Sequence, residues 1–314
     1  MKISITSPKT IFNQEQQNQL ATLGEINYIN PPSEYNPDFF KQEISTSDIL
    51  AIDPDNLGGF EKVKDRLTDL METLPNLKGL ALDTTSFGWV DLEYCKKRGI
   101  PVCNVPGYSR ESVAELTIAL LLNLSLKILL ADRRTQKGKF ILEGGSELKG
   151  KTLGIIGLGS IGSRVAELGN CMGMDVIAFN RSEKNQVGIQ IKTFDEVISE
   201  SDFISTHVTH TDQNKNLITK DQLSKMKEGV VIVNTADRDM INEADIAEAI
   251  KSGKVAAYAY EGEDLENTPL AELENAFGLK SIAWYTKEAR ENLVKIWVEN
   301  MIALAMNKPQ NIVN

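Results

Sequence analysis

The chain has few of the side chains that build metal and disulfide sites: three cysteines and two histidines in 314 residues. Cys95, Cys103 and Cys171 are odd in number, widely spaced and form no C-x-x-C pair. That pattern argues against a disulfide framework or a zinc ribbon and for free thiols in a reducing compartment. No metal site is expected. A basic excess is also missing, since 34 Lys and Arg stand against 44 Asp and Glu for a formal net charge of −10. Nucleic acid is therefore not an expected partner, because its binding rests on neutralising phosphates. The densest basic patch, Arg133, Arg134, Lys137 and Lys139, ends a helical run and reads as a solvated helix end. Long apolar runs are absent too. The most apolar stretch, 113–130, is interrupted by Glu115, Asn123, Ser125 and Lys127 and suits a buried or interface helix better than a membrane span. The N-terminal residues Met1 to Ile5 start a strand and show no signal-peptide h-region. There is no repeat, low-complexity tract or Pro-rich linker. What remains is a cytoplasmic protein whose 41% hydrophobic content and length suffice for two cores.

The richest local signal is Lys151-Thr152-Leu153-Gly154-Ile155-Ile156-Gly157-Leu158-Gly159-Ser160-Ile161-Gly162. A short apolar run leads into G-x-G-x-x-G, a helical pattern follows, and a second strand begins at Met174. In that context each glycine has a task. Gly157 permits the tight turn, Gly159 lets a pyrophosphate approach the backbone, and Gly162 lets the helix pack on the sheet. Phosphates are favoured at such a helix N-terminus by its unpaired N–H groups and dipole. Residues 3–7, 26–29, 49–52, 77–82 and 100–105 read as strands, alternating with helical patterns at 12–23, 60–74 and 90–97. A long helix is expected over 112–137, further strands at 202–206, 230–234, 255–260 and 281–285, and a last helix over 287–306. This alternation implies an α/β protein with two parallel-sheet domains, 1–103 plus 287–314 and 104–286.

Four segments then carry a resemblance. Asn104-Val105-Pro106-Gly107-Tyr108-Ser109 with Ser112-Val113-Ala114-Glu115, the glycine loop, Met226-Lys227-Glu228-Gly229 with Val233-Asn234-Thr235-Ala236, and Ile282-Ala283-Trp284-Tyr285-Thr286 with Glu288-Ala289-Arg290 together resemble the D-isomer-specific 2-hydroxyacid dehydrogenases. The resemblance implies a flavodoxin-like substrate domain, a Rossmann nucleotide-binding domain, a small-molecule substrate and a homodimer. For the dimer, Leu116, Leu120, Leu121 and Leu124 offer an apolar helix face that an internal core would use equally well. It also places Ser160, Ile161, His207, Thr235 and Ala236 beside the nucleotide.

The family's chemistry uses an arginine that clamps the substrate carboxylate, a histidine that exchanges a proton and a glutamate that orients the histidine. Here Asp237 follows Asn-Thr-Ala where the arginine is expected, with Arg238 one residue late. Ser281 stands at the histidine position, and Glu266 is the candidate for the glutamate. A unit charge about 4 Å away is worth roughly 1–4 kcal/mol between water and an effective dielectric of 20, so reversing its sign costs a carboxylate roughly 2–8 kcal/mol. Loss of a general acid costs about 10²–10⁴ in rate. The candidates for moving the proton are His210, Tyr258, Tyr260 and a Ser281-held water, each weighed against a plain structural role. After the second strand, Asn180, Arg181 and Ser182 replace the acidic residue that accepts from a ribose hydroxyl, which favours NADP(H) over NAD(H). Three readings follow. One is an NAD(P)-dependent oxidoreductase with an altered substrate, in which Asp237 suits an amine or imine. Another is a catalytically inactive nucleotide-binding sensor or partner-binding relative. The third is a non-redox enzyme that uses a tightly held nucleotide transiently.

Overall fold

The computed structural model describes residues 1–60, 62–184, 186–209 and 214–314. These form two compact units, Met1–Tyr108 with Lys287–Asn314, and Ser109–Thr286. The first boundary falls after Tyr108 rather than after Cys103. Asn104 and Val105 stay with the first unit because their N–H groups donate to Asn311 O and Thr84 O, at 3.1 and 3.2 Å.

The first unit alternates β1 (Lys2–Ile5), α1 (Gln14–Ala21), β2 (Glu25–Tyr28), α2 (Pro37–Glu43), β3 (Ile49–Ile52), α3 (Val63–Glu72), β4 (Gly79–Leu82), α4 (Leu92–Lys97) and β5 (Val102–Cys103). Its sheet runs β2-β1-β3-β4-β5, parallel throughout. That is the flavodoxin-like strand order. β3 (ILAI) and β4 (GLAL) are buried along their whole length, as expected of parallel strands covered on both faces.

The second unit comprises α5 (Arg110–Leu126), α6 (Ile128–Gln136), β6 (Thr152–Ile156), α7 (Ser160–Cys171), β7 (Asp175–Phe179), β8 (Gln190–Ile191), α8 (Phe194–Glu200), β9 (Phe203–Thr206), α9 (Lys220–Lys225), β10 (Val230–Asn234), α10 (Glu243–Ser252), β11 (Val255–Glu261) and β12 (Ala276–Leu279). Its sheet runs β12-β11-β10-β9-β6-β7-β8, again parallel. Outward from β6 this is the Rossmann order with one strand added, and the order reverses between β6 and β9. Alternate residues feed two cores. Ile156, Ile177, Ile204 and Ile232 lie in one, and Ile155, Ala178, Phe203 and Val233 in the other. The chain closes with α11 (Lys287–Ala305) in the first unit, where Trp297, Met301 and Leu304 join Ile3, Ile5 and Ala81.

Two expected elements differ. The long helix over 112–137 is broken at Lys127, whose φ of 58° is left-handed, and the Asn123 side chain caps the new start by accepting from Leu129 N at 3.1 Å. Of the expected face, Leu120, Leu121 and Leu124 are buried in the second unit's own core and Leu116 packs partly buried against it. The expected strand 281–285 is not a strand. β12 precedes it, pairing Tyr258 with Ala276 and Glu261 with Leu279. Among the described residues no single helix is long and apolar enough to cross a membrane; α5 and α6 reach that composition only as a pair bent by 62°.

Candidate active site

β6 delivers the chain to the switch point at Gly157, whose φ is +96° and where a Cβ would lie 2.6 Å from His207 O. Only glycine fits there. A Cβ on Gly162 would lie 2.0 Å from Gly157 O, so the close approach of α7 to the loop also requires glycine. Gly159 is the N-cap of α7 and faces open space, with nothing within 4 Å of a Cβ position. Ser160 and Ile161 begin the helix, and its first-turn amides have no partner within it. An open glycine before unpaired amides at a switch point fits a dinucleotide pyrophosphate.

Asn180 follows β7 directly and ties this loop down. Its Oδ1 accepts from Leu158 N at 2.9 Å and its Nδ2 donates to Ser182 O and Oγ at 2.8 and 3.0 Å. Arg181 and Ser182 are exposed beside it, and Lys184 Nζ donates to Leu158 O at 2.6 Å. The strand end carries Arg181, Glu183 and Lys184, and the Asn180 oxygen is already engaged. His207 lies behind the glycines. Its backbone N donates to Ile156 O at 2.7 Å and its Nε2 is 2.8 Å from Ser205 Oγ. Burial pushes its pKa down to about 3, so the imidazole is neutral.

β10 ends in a turn organised by buried Asn234, which accepts from Thr206 Oγ1 at 2.5 Å and Ala236 N at 3.1 Å and donates to Asp237 O at 3.1 Å. Thr235 Oγ1 is 3.0 Å from Thr117 Oγ1 on α5. This turn borders a cavity of about 370 Å³ lined by Thr235, Ala236, Asp237, Arg238, Glu261 and Ser281, with Val113, Gly262, Ala283 and Trp284. The structure thus brings Asp237, Arg238 and Ser281 together at the carboxyl ends of β10 and β11. Arg238 is not an open clamp. Its Nε and Nη2 donate to Glu243 Oε1 at 2.9 and 2.5 Å, and Nη1 donates to Glu263 O at 2.5 Å.

Glu266 does not join them. It is exposed, at a second cavity of about 460 Å³ with Tyr260, Leu265 and Leu270. The glutamate at the first cavity is Glu261, the last residue of β11, only 7% exposed. Its Oε1 accepts from Ile282 N and Ala283 N, both at 2.8 Å, which is what holds residues 281–285 away from strand geometry. Burial raises the Glu261 pKa and the two N–H donors act against it. The sequence signal for Glu261 was available: an acidic residue ending an apolar strand at the carboxyl edge of a parallel sheet. His210 lies outside the described residues. Tyr258 and Tyr260 are both buried, with rings stacked 5.0 Å apart, and burial raises both phenols.

Residues 118–279 match the family described as D-isomer specific 2-hydroxyacid dehydrogenase, NAD binding domain. The chain belongs to that family. It is 37% identical over 257 residues to the D-3-phosphoglycerate dehydrogenase of Archaeoglobus fulgidus, covering 78% of this chain and 49% of the relative's length, so it spans about half of that protein. It is 34% identical over 264 residues to the glyoxylate reductase of Aeropyrum pernix, covering 78% of this chain and 79% of that one. Among solved structures it resembles an acyclic imino acid reductase in complex with NADPH and D-Arg, with a TM-score of 0.86, 29% identity and both chains covered fully. It also resembles the D-lactate dehydrogenase of Aquifex aeolicus complexed with NAD and lactic acid, with a TM-score of 0.79, 27% identity and coverage of 98% and 96%. As in this family of oxidoreductases, the second unit is a nicotinamide-dinucleotide-binding domain.

Proposed function

We propose that the protein is an NADPH-dependent reductase of a C=N group, acting on an imine where most of its family acts on the carbonyl of a 2-oxo acid. The observation that carries this reading is the charge of the cavity at the ends of β10 and β11. Asp237 supplies a carboxylate at the family's arginine position, and the Arg238 guanidinium is already bonded to Glu243. Such a cavity repels a substrate carboxylate at the family's arginine position and attracts a protonated imine or amine. A solved neighbour described as an acyclic imino acid reductase in complex with NADPH supports both the substrate class and the cofactor. Exposed Arg181 after the strand, with Asn180 in place of a carboxylate, supports the 2′-phosphorylated nucleotide.

Gly157, Gly159 and Gly162 would hold the nucleotide, whose nicotinamide, when bound, supplies the hydride. Asp237 favours the positively charged form of the imine. Glu261 is the proton donor of this reading: its burial favours the neutral acid against the two N–H donors on Oε1, which leaves Oε2 as the oxygen to carry the proton. Reduction adds hydride to the imine carbon, and the nitrogen keeps or gains the proton, giving an amine. The same reading takes the protein as a cytoplasmic homodimer. Phe140, Ile141 and Leu142 support the association, being 86%, 56% and 106% exposed on the second unit, and light scattering tests it.

The deciding experiment supplies NADPH deuterated at its transferable position with 2-oxo acids, in the presence and absence of ammonia or an alkylamine. Deuterium in an amine product, with little in 2-hydroxy acids, is expected. Label appearing chiefly in 2-hydroxy acids overturns the imine assignment. Label remaining on bound nucleotide favours a non-enzymatic sensor. Asp237→Asn should raise KM for the imine while leaving NADPH affinity intact.

A further inference from the structure

Among the described residues, Arg238 is the only cation lining the cavity at the ends of β10 and β11. The backbone around it is fixed. Asp237 O accepts from Asn234 Nδ2 and Met240 N at 3.1 and 3.2 Å, Asp239 O from Asn216 N at 2.7 Å, and Met240 O from Ile218 N at 3.0 Å. A slip of one residue that put Arg238 in the place of Asp237 would break these bonds, so any change of role must come from the side chain. That side chain is held along its length. Its stem lies against Gly262, where a Cβ would be 2.9 Å from Arg238 Cδ. Its Nε and Nη2 both donate to Glu243 Oε1, and its Nη1 donates to Glu263 O. The Nε–Nη2 edge, which could fork a substrate carboxylate, is therefore occupied from within the chain.

Glu243 is well placed to keep that hold. It is the first residue of α10, where the helix dipole favours a carboxylate, and Asn242 caps the helix by accepting from Asp245 N at 3.1 Å. The Arg238 and Glu243 side chains are 24% and 26% exposed, so the pair is screened less than an ion pair in open solvent. Being part of the same chain, Glu243 also competes with a dilute carboxylate at a high effective concentration. We propose that Glu243 is a specificity-determining residue that holds Arg238 as a latched carboxylate clamp. With the latch in place the cavity turns carboxylates away. With Glu243 removed, Arg238 swings to an incoming carboxylate. Glu243 is a positioning residue, acting through Arg238. For the imine reductase proposed above, and resting on that reading only here, the latch names a substrate whose group facing Arg238 is neutral or cationic.

Calorimetric titration of the NADPH-saturated full chain with oxamate, a carboxylate analogue of a 2-oxo acid, tests the latch. The native protein should bind oxamate weakly. Glu243→Ala should bind it about tenfold more tightly, the size of a regained charge-assisted hydrogen bond. The isosteric Glu243→Gln should gain in the same direction but by less, because its amide oxygen still accepts from Arg238. The gain should vanish in the double variant Glu243→Ala with Arg238→Gln. An affinity gained with one substitution and lost with the second does not come from a damaged fold. Unchanged oxamate affinity in both Glu243 variants, or a gain that survives Arg238→Gln, overturns the proposal. A gain that depends on Arg238, in a protein whose native form transfers no hydride to any imine, supports the latch and counts against the reductase reading alone. Imine reduction without any oxamate gain does the reverse.

Discussion

In the second unit the central strand β6 is followed by Gly157, Leu158 and Gly159, and the loop after β7 carries Arg181, Glu183 and Lys184. In the first unit β3 and β4 are followed directly by Asp53 and Asp83. Both sheets are parallel and buried on both faces, and both bring loop residues together at their carboxyl ends. One edge thereby presents an open glycine at a helix N-terminus, and the other places two carboxyl side chains just past adjacent strands. Strand order determines where loops converge, and the few residues just past each strand determine what they hold.

The largest break in this comparison should come from Gly162→Val. A side chain there would meet Gly157 O, so NADPH affinity in a fluorescence titration should fall by about a hundredfold or more. Of similar size, Glu261→Gln should lower kcat by about 10²-fold with NADPH affinity unchanged. Native kcat should decline as pH rises through the raised Glu261 pKa, since the protonated acid is the competent form, and the variant should lack that limb. Arg181→Glu should shift preference from NADPH toward NADH by about 10- to 100-fold, read as the ratio of the two dissociation constants.

Smaller effects should appear in stability, with opposite signs in the two units. The folded pKa of His207, about 3, lies below its ordinary 6.5. The unfolded chain takes up that proton first, so this contribution is lost as pH falls below about 6.5. For Asp53 the folded value of about 6 lies above 3.8, chiefly through burial. The unfolded chain releases that proton first, so stability declines as pH rises from about 4 through 6. Asp53→Asn should therefore raise Tm at pH 8 and much less at pH 4, with a gain of about 1–3 kcal/mol at the higher pH. Smallest of all, Glu266→Gln should change kcat/KM by less than about twofold, because that carboxyl is exposed at another cavity. A large effect there would return the glutamate's role to Glu266.

Much of this protein was legible locally. The glycine spacing, the apolar strands and the order of elements identify two parallel-sheet units, because a tight turn, a helix N-terminus and a buried strand are set by neighbours within a few residues. The sequence also placed Asp237, Arg238 and Ser281 at one site, where the folded chain assembles them. Other features depended on partners far along the chain. Lys127 turns left-handed where a helical pattern continued, and residues 281–285 look like a strand but are held as a turn by Glu261, across 21 and 22 residues. The same contact distinguishes Glu261 from Glu266, which composition and spacing could not do. Asp53 and Asp83 look unrelated in sequence and become neighbours only through the β3–β4 pairing. Sequence alone determined which backbone shapes were available and where an anion would be welcome. Tertiary structure decided which carboxyls are buried, which cation is already paired and which charges must face one another, because burial and long-range pairing arise only when distant segments meet.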